Sequence, residues 1–356
     1  MLTIWMFHEE VHVVKLEEIA RLAGVSKATV SSVLNGKAGK YRISTDTQEK
    51  VRAVALEHGY QANHSAAALR RGTSRSIGFI IPDFENRSYL RIAKHLETLS
   101  RAEGYQLVIA SSDDDFEIEL AAARMMVSRG IDALVVSSCT TEAETTYADI
   151  QQKGTPVVVL DRPIGSGFCS VLSDDRQGAF ELVQSMSLDS PPTRVKDAVL
   201  IGAMPEMKIS QLREQGFRAA VADIPKLQAH CCYGASFDIA SAKVALDAAR
   251  AQIGRTPDAI VTTSFSLLEG VMEALRSEMQ VAWSKAVSPV RLATFGDSRL
   301  LDFLPFPVNS LSQQHEAVAE AAWRLVRKAL EDDYQPETVV IARMLQNRWL
   351  TWASRG

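Results

Sequence analysis

A regular alternation of apolar runs and helix-like stretches over residues 76–356 constrains the fold of this chain more than any other feature. Each run is short, rich in β-branched residues and followed by polar residues. The clearest runs are SIGFIIPD (76–83), YQLVIASSD (105–113), DALVVSSC (132–139), TPVVVLDRP (155–163), DAVLIGAM (197–204), DAIVTTSF (258–265) and VRLATFGD (290–297). Continuous apolar strands between helices are typical of parallel sheets covered on both faces. We therefore predict an α/β body of two doubly wound lobes.

Polar residues close most of these predicted strands. They are Asp83, Ser112, Ser137, Asp161, Ser264 and Asp297. In open parallel sheets, ligands bind beyond the carboxyl ends of the strands, which makes this edge the expected ligand site. Helix capping is the alternative role, and we expect it for roughly half of them. The last strand is predicted over 338–345, TVVIARML.

The first part of the chain has a different character, with short helices around a glycine. LEEIARLAG (16–24) has an apolar stripe that ends at glycine, and VSKATVSSVLNG (25–36) follows it. Ser26 is the expected N-cap of the second helix, and Asn35-Gly36 is its expected end. A third helix is predicted over 45–58, with Ser44 as its cap. A helix pair of this kind predicts a helix-turn-helix, whose second helix enters the DNA major groove.

Charge supports a nucleic-acid partner for this part of the chain. Residues 15–75 carry eleven lysine or arginine residues and five acidic ones, whereas the whole chain has a net charge of −4. A basic head on an acidic body is the pattern of a DNA-binding domain joined to another function. With 356 residues, the chain is long enough for two or three domains.

Several other classes of protein are not supported. The four cysteines (139, 169, 231 and 232) have no paired C-x-x-C spacing, so neither a zinc site nor a disulfide framework is predicted. No apolar run approaches the ~20 residues of a membrane span. The chain lacks a G-x-x-x-x-G-K phosphate loop and a recognisable catalytic motif, so no enzyme activity, metal or cofactor is predicted. A sugar-phosphate-binding protein or enzyme without a DNA role is the alternative of another class.

From Lys15 onward, the chain resembles the lactose-repressor/galactose-repressor family of bacterial regulators. The motifs that carry the resemblance are LEEIARLAGVSKATVSSVLNG (16–36), NHSAAALRRGTSRSIGFIIPD (63–83), VVVLDRP (157–163), LREQGFRAA (212–220), TTSFSLLEGVMEAL (262–275) and LATFGDSRLLDFLPFPV (292–308). The last two motifs, with FENRSYLRIAKHLE (84–97), are similar to the fructose-repressor branch, also called the catabolite repressor/activator. The sucrose-operon repressor branch is the second choice.

The resemblance implies a DNA-reading role for the start of the second helix. Lys27 can donate to guanine O6 and N7, and Ala28 can touch a thymine methyl group. Phosphate contacts are expected from Ser26, Thr29 and Ser31, and these set register rather than sequence.

Further DNA contacts are implied for the segment after the head. Residues 63–70 match the family's hinge helix, in which Asn63 and Ala66 are expected at the DNA and Leu69 is expected to wedge into the minor groove. Ser32 of the second helix is also a predicted contact, although relatives often carry a larger side chain there.

The family's effector binds between two lobes that resemble a periplasmic sugar-binding protein. The implied pocket residues are Ser88, Asp161, Arg162, Arg213, Ser264, Asp297 and Arg343. Several arginines around one pocket favour a phosphorylated sugar, because guanidinium groups pair with phosphate oxygens. Fructose 1-phosphate is the first candidate and fructose 1,6-bisphosphate the second. Gly296 stands where many relatives carry an aspartate.

The resemblance also implies the domain organisation and the assembly. We expect a non-native extension over 1–14 that precedes a valine start, a helix-turn-helix domain over 15–61, a hinge over 62–75 and an effector-binding, dimerising domain over 76–356. The expected protein is a cytoplasmic regulator that binds near-palindromic double-stranded operator DNA as a homodimer. The sequence shows no leucine-heptad tail of the kind that makes some relatives tetramers, although a tetramer by another surface stays possible. The effector is expected to relieve operator binding.

Overall fold

The computed structural model describes residues 14–60, 72–188, 195–276, 290–331 and 333–353. The chain divides into two compact units, and the boundary lies between Ser74 and Arg75. We call the first unit the head and the second the body, and we describe each by itself.

In its described residues, the head has three helices, α1 (Leu16–Ala23), α2 (Lys27–Leu34) and α3 (Thr45–Glu57). The predicted caps of the last two are confirmed. The Ser26 hydroxyl accepts a hydrogen bond from the Thr29 amide at 3.1 Å, and the Ser44 hydroxyl accepts one from the Thr47 amide at 3.4 Å.

Close packing of the apolar faces holds the three helices together. Gly24 ends α1 in the left-handed region with φ 65°, which a glycine adopts without steric cost. The buried residues of the head are Ile19, Ala20, Ala23, Val30, Val33, Ala38, Val51 and Ala55. The small side chains of this core let α1 and α2 approach closely, and the polar face of α2 stays at the surface.

The described part of the body contains two six-stranded sheets. In chain order the strands are β1 (Ser76–Ile81), β2 (Gln106–Ser111), β3 (Ala133–Val136), β4 (Val157–Leu160), β5 (Cys169–Ser173), β6 (Asp197–Ala203), β7 (Gln228–Gly234), β8 (Ala259–Thr262), β9 (Arg291–Phe295), β10 (Val308–Ser312), β11 (Thr338–Ile341) and β12 (Met344–Gln346). The strand order is β11-β5-β4-β3-β1-β2 in the first sheet and β12-β10-β9-β8-β6-β7 in the second. All neighbours are parallel except β10 and β12.

Helices cover both faces of each sheet, as predicted for two doubly wound lobes. They are α4 (Arg87–Ala102), α5 (Phe116–Ser128), α6 (Glu144–Gln152), α7 (Asp175–Gln184), α8 (Lys208–Ala222), α9 (Ile239–Ile253), α10 (Phe265–Ala274), α11 (His315–Leu330) and α12 (Arg348–Ala353), with short 3-10 helices at Thr141–Ala143 and Arg299–Phe303. The prediction of fold class is confirmed. Among the described residues, none of the helices combines the length and apolar character that crossing a membrane requires.

The chain passes between the two sheets three times. After β5 it enters α7, which packs on the second sheet, and after β10 it enters α11, which packs on the first. The third passage lies between β11 and β12, so the single strand predicted over 338–345 is wrong. Ala342 and Arg343 separate two short strands of different sheets, because one extended strand cannot pair in both.

Candidate functional site: an inter-lobe cleft and a DNA-facing surface

A cleft opens between the two lobes at the carboxyl ends of their strands. It holds about 750 Å³, part of which is open to solvent. The predicted effector residues all line it: Ser88, Asp161, Arg162, Arg213, Ser264, Asp297 and Arg343. They come from both lobes and from the passages between them, so lobe movement would change their spacing.

Two buried arginines share one buried carboxylate at the base of this cleft. Arg213 of α8 donates from Nε to Asp175 at 3.1 Å and from Nη1 to the Thr263 carbonyl at 2.8 Å. Arg343 donates from Nε to the same Asp175 oxygen at 2.8 Å. Both guanidinium groups lie over the Phe295 ring, at 4.7 and 5.2 Å from its centroid. Asp175, which is 1% exposed, therefore fixes the position of both arginines.

Asp161 organises a second group of hydrogen bonds. Its carboxylate accepts from the Tyr89 hydroxyl at 3.0 Å and from the Gln313 amide at 2.6 Å. The Tyr89 hydroxyl also lies 2.9 Å from that of Ser137. The backbone of Asp161 has φ 65°, a conformation that non-glycine residues seldom adopt and that recurs at functional sites. Burial, and then the Asp161 charge, raise the pKa of Tyr89, so its hydroxyl keeps its proton.

Arg162 and Thr263 carry buried polar atoms that lack partners among the described residues. The Arg162 guanidinium pairs with Asp114 and lies 5.6 Å from the Phe237 centroid, yet its Nε is unpartnered. Thr263 Oγ1 is likewise unpartnered. Burial lowers the pKa of Arg162, but the paired Asp114 carboxylate, with Asp161 nearby, raises it by more than burial lowers it, so the group stays charged. Unpaired buried polar atoms are costly, and a ligand with oxygen atoms could satisfy both.

Two helices begin at the cleft, one from each lobe. Ser264 caps α10 by accepting a hydrogen bond from the Leu267 amide at 3.2 Å. Ser88 lies in the first turn of α4, whose cap Asn86 accepts from the Ser88 amide at 3.2 Å. The Ser88 amide is therefore engaged, and its hydroxyl is the group left to offer. The positive end of each helix dipole still favours an anionic ligand.

Arg87 and Arg91 of α4 line the same cleft and are exposed. Neither has an ion-pair partner within the described part of the chain, in contrast to the three buried arginines. Sequence reasoning missed both, although the spacing RSYLR places them near one helix start. Together with Ser88, they form the part of the cleft where an anionic group is expected to bind, which we call the anion end.

Asp297 is already occupied by partners of its own lobe. It accepts from the Ser310 hydroxyl at 2.6 Å and pairs with Arg348 at 3.0 Å. The preceding Gly296 has φ 83°, and a side chain there would press on Phe265. The loop thus offers one carboxylate, which is shared with the lobe's own framework.

Sequence reasoning also missed Asp175, Tyr89, Gln313 and Thr263. Asp175 follows β5, so the rule of polar strand ends would have marked it had that strand been recognised. Thr263 directly precedes the predicted Ser264. Tyr89 and Gln313 carried no signal, because a buried tyrosine on a helix and a glutamine after a strand are common in ordinary cores.

The polar face of α2 forms the second candidate site, on the head. A surface hollow is lined by Leu16, Lys27, Ala28, Thr29, Ser31, Ser32, Tyr41 and Ile43. We call these residues the recognition surface. Ser26 does not line it and instead bonds to Thr29, with 2.9 Å between their hydroxyl oxygens. The predicted hinge contacts Asn63, Ala66 and Leu69 lie outside the described residues.

Comparison with known proteins identifies the family. A model of bacterial regulatory proteins, lacI family, matches residues 15–63, and a periplasmic binding protein domain model matches residues 77–287. The fructose operon regulatory protein of Vibrio cholerae is 47% identical over 334 residues, or 94% of this chain and 99% of that protein. The chain belongs to the lacI family of bacterial regulatory proteins. It is a transcriptional regulator with a DNA-binding head.

Other members of the lacI family support the fructose branch. The catabolite repressor/activator of Escherichia coli K12 is 42% identical over 91% of this chain and 94% of that protein. A solved structure of the Cra transcriptional dual regulator from Pseudomonas putida, in complex with fructose 1-phosphate, is 38% identical with a TM-score of 0.70. It covers 77% of this chain and 98% of that one. The predicted family and branch are confirmed, and these relatives are regulators rather than enzymes.

Proposed function

We propose that the chain binds operator DNA through the recognition surface and releases it when a phosphorylated sugar enters the inter-lobe cleft. Fructose 1-phosphate is the first candidate and fructose 1,6-bisphosphate the second. The observation that carries this proposal is the polarity of the cleft. Arg87 and Arg91 of α4 have no ion-pair partner among the described residues, and buried donors of Arg162 and Thr263 in the same cleft likewise have no hydrogen-bond partner there.

The exposed arginines of the cleft suit the phosphate of a sugar phosphate, and the buried, paired arginines suit its hydroxyl groups. An unpaired guanidinium can bind phosphate oxygens with two parallel hydrogen bonds. Arg213 and Arg343 are already held in ion pairs with Asp175, so they are suited to hydroxyl groups and to holding the cleft's shape. A neutral disaccharide, as in a sucrose-type repressor, would offer no phosphate for Arg87 and Arg91 to bind. The relative solved with fructose 1-phosphate supports the same ligand.

On the DNA side, Lys27 and Ala28 are the proposed base contacts, with Ser32 beside them. Thr29 and Ser31 are the proposed phosphate contacts, and Ser26 acts through its cap of α2. Asn63, Ala66 and Leu69 are proposed contacts of a hinge over 62–75, between a head over 15–61 and a body over 76–356. One head reads few base pairs, so a homodimer on a near-palindromic operator is proposed. A regulator of bacterial DNA acts in the cytoplasm.

The proposed release follows from linkage. The effector must bind the lobe arrangement that disfavours DNA more tightly than the other arrangement, or it shifts nothing. A coupling of ~1–3 kcal/mol would change operator affinity by roughly 5–150-fold. Closure of the cleft would change the spacing of the two hinges in a dimer, so that both could no longer engage one operator.

Calorimetric titration tests the effector. We expect saturable binding of fructose 1-phosphate and none of sucrose or free fructose, with fructose 1,6-bisphosphate as the comparison. Arg91→Ala should weaken binding about tenfold or more, because a charged hydrogen bond to phosphate is lost. Arg218→Ala is the matched control, since Arg218 lies outside the cleft and pairs with Glu214. Equal affinity in both variants would refute the proposed anion end.

A further inference from the structure

An acidic residue stands directly beside the basic residue that we propose reads DNA. Glu17 is the second residue of α1, and its carboxylate accepts a hydrogen bond from Nζ of Lys27, the first residue of α2. Both side chains are well exposed, at 60% and 58%. Leu16, the neighbour of Glu17, belongs with Lys27 to the recognition surface, so the ion pair lies where DNA is expected.

Stability does not account for this pair. Exposed ion pairs contribute little to folding, because water and salt screen them. A negative charge in the first turn of α1 favours the helix dipole, but Glu18 supplies one in the same turn. The hydrogen bond from Lys27 lowers the pKa of Glu17, so the carboxylate is ionised at neutral pH. A fixed negative charge on this surface repels every DNA phosphate.

The hydrogen-bonding groups of the major groove suggest how the Glu17–Lys27 pair affects DNA recognition. A lone lysine is long and flexible, and it can bind any phosphate and so contribute affinity without sequence information. With Glu17 bound to it, moving Lys27 to a phosphate also brings a carboxylate there. At a G·C pair the conflict disappears, because guanine accepts from the ammonium group and the cytosine N4 amino group donates to the carboxylate.

We infer that Glu17 is a specificity-determining residue of the head: it directs Lys27 to base edges and disfavours its use on phosphates. This inference rests on the proposed DNA-reading role of Lys27. It is a positioning role, exerted through Lys27 and through a base that can donate to the carboxylate.

The test compares specific with non-specific binding of the full-length protein. A preferred duplex is first selected by the unaltered protein from a random-sequence pool. Affinities for that duplex and for a scrambled duplex of equal length are then measured at several salt concentrations. Glu17→Gln should tighten binding to the scrambled duplex. The slope of log affinity against log salt concentration for that duplex should steepen by up to about one unit. The ratio of the affinity for the selected duplex to that for the scrambled duplex should fall by at least about fivefold.

Glu18→Gln is the matched control, because it removes the same charge from the same helical turn but leaves Lys27 paired. Its affinity ratio should stay close to that of the unaltered protein. An equal fall of the ratio in both variants, or an unchanged ratio in Glu17→Gln, overturns the inference. So does equal weakening of both duplexes together with a lower melting temperature, since that marks a structural role.

Two further variants separate the inference from the proposed function beneath it. In Lys27→Gln, selected binding should weaken, and adding Glu17→Gln to that variant should change the affinity ratio much less than Glu17→Gln does when Lys27 is present. If Lys27→Gln binds both duplexes as the unaltered protein does, the proposed reading role of Lys27 is wrong. If Lys27→Gln weakens binding but Glu17→Gln lowers the ratio as much in its presence as in its absence, only the positioning role is overturned.

Discussion

Single residues decide how the cleft is held, and Asp175 is the clearest case. Its buried carboxylate contacts two buried guanidinium groups, those of Arg213 and Arg343. Asp175→Asn removes the charge but keeps the shape, so two buried cations lose their common partner. We expect a loss of about 3–5 kcal/mol in the free energy of unfolding of the body, as for other broken buried pairs. Urea titration of the purified protein measures it.

The neighbouring aspartate gives a matched control for this prediction. Asp174 caps α7 by accepting a hydrogen bond from the Gln177 amide at 3.1 Å, and asparagine caps a helix about as well. Asp174→Asn should therefore cost less than about 1 kcal/mol. If the two variants lose the same stability, the charge of Asp175 is not what holds the arginines.

At the residue scale, the sequence predicted the outline of the cleft better than its interior. Arg213, Asp161 and Ser264 followed from the resemblance together with the rule that ligands bind at strand ends, and the structure brings them into one cleft. Asp175 did not follow because β5 was not recognised as a strand, and Gln313 did not follow because its role depends on long-range contacts that no local pattern shows. A count of arginines in the sequence also could not show which of them pair with acidic residues.

Among the elements, the packing of α7 against α8 controls the geometry of the cleft. Asp175 begins α7 and Arg213 lies on α8, so the spacing of the two helices sets the distance between them. At Gly216 of α8, an added Cβ would lie 2.1 Å from the Arg176 carbonyl oxygen and 2.8 Å from the Ala179 Cβ. Glycine is therefore required here by close approach rather than by backbone conformation.

Gly216→Ala should accordingly destabilise the body, although alanine is the better helix former. The propensity gain of ~1 kcal/mol is outweighed by overpacking, which costs typically 1–3 kcal/mol and here involves backbone that cannot rotate away. Parting the helices should also weaken effector binding. Chemical denaturation and calorimetry measure the two effects. Gly167→Ala is the control, since a Cβ there meets nothing within 4 Å; a stabilised Gly216→Ala variant would contradict the argument.

The elements themselves were largely predictable, and the exceptions have a physical reason. Ser26 and Ser44 marked the starts of α2 and α3, because a capping hydroxyl is a local signal. The continuous apolar runs marked seven strands of the body for the same reason. The division of 338–345 into β11 and β12 was missed, since local sequence indicates extended backbone but not the sheet in which each residue pairs.

For the whole molecule, the balance of buried and paired ionisable groups predicts two separate steps in acid stability. His315 opens α11, and burial, with Arg91, Arg343 and His95 nearby, lowers its pKa from 6.5 to about 4, while Asp297 opposes the shift. As the pH falls, His315 therefore takes up a proton in the unfolded chain before it does so in the folded protein. Its contribution to stability is complete above about pH 6.5 and is lost as the pH falls towards 4.

A second and smaller step should follow at lower pH, because water and salt screen the exposed ion pairs that cause it. Hydrogen bonds from Arg324, and then from Lys328, lower the pKa of Glu337 from 4.5 to about 2. A depressed carboxylate pKa contributes stability above the unfolded value, and that stability is lost as the pH falls from about 4.5 to about 2. His315 lies at the start of α11, and Glu337 lies in the segment that follows this helix. Because the two groups are far apart, a substitution at one should remove its step and leave the other.

The measurement is the free energy of unfolding from pH 8 to pH 2 in three proteins. His315→Gln should flatten the curve between about pH 6.5 and 4 and leave the lower step, because glutamine takes up no proton. Glu337→Gln should flatten only the part below about pH 4.5. A His315→Gln curve that falls as steeply as that of the unaltered protein across the upper range would show that burial of His315 is not the source of that step. Each variant thus serves as the control for the other, and together they separate burial of a neutral histidine from pairing of a charged carboxylate as the origin of acid sensitivity.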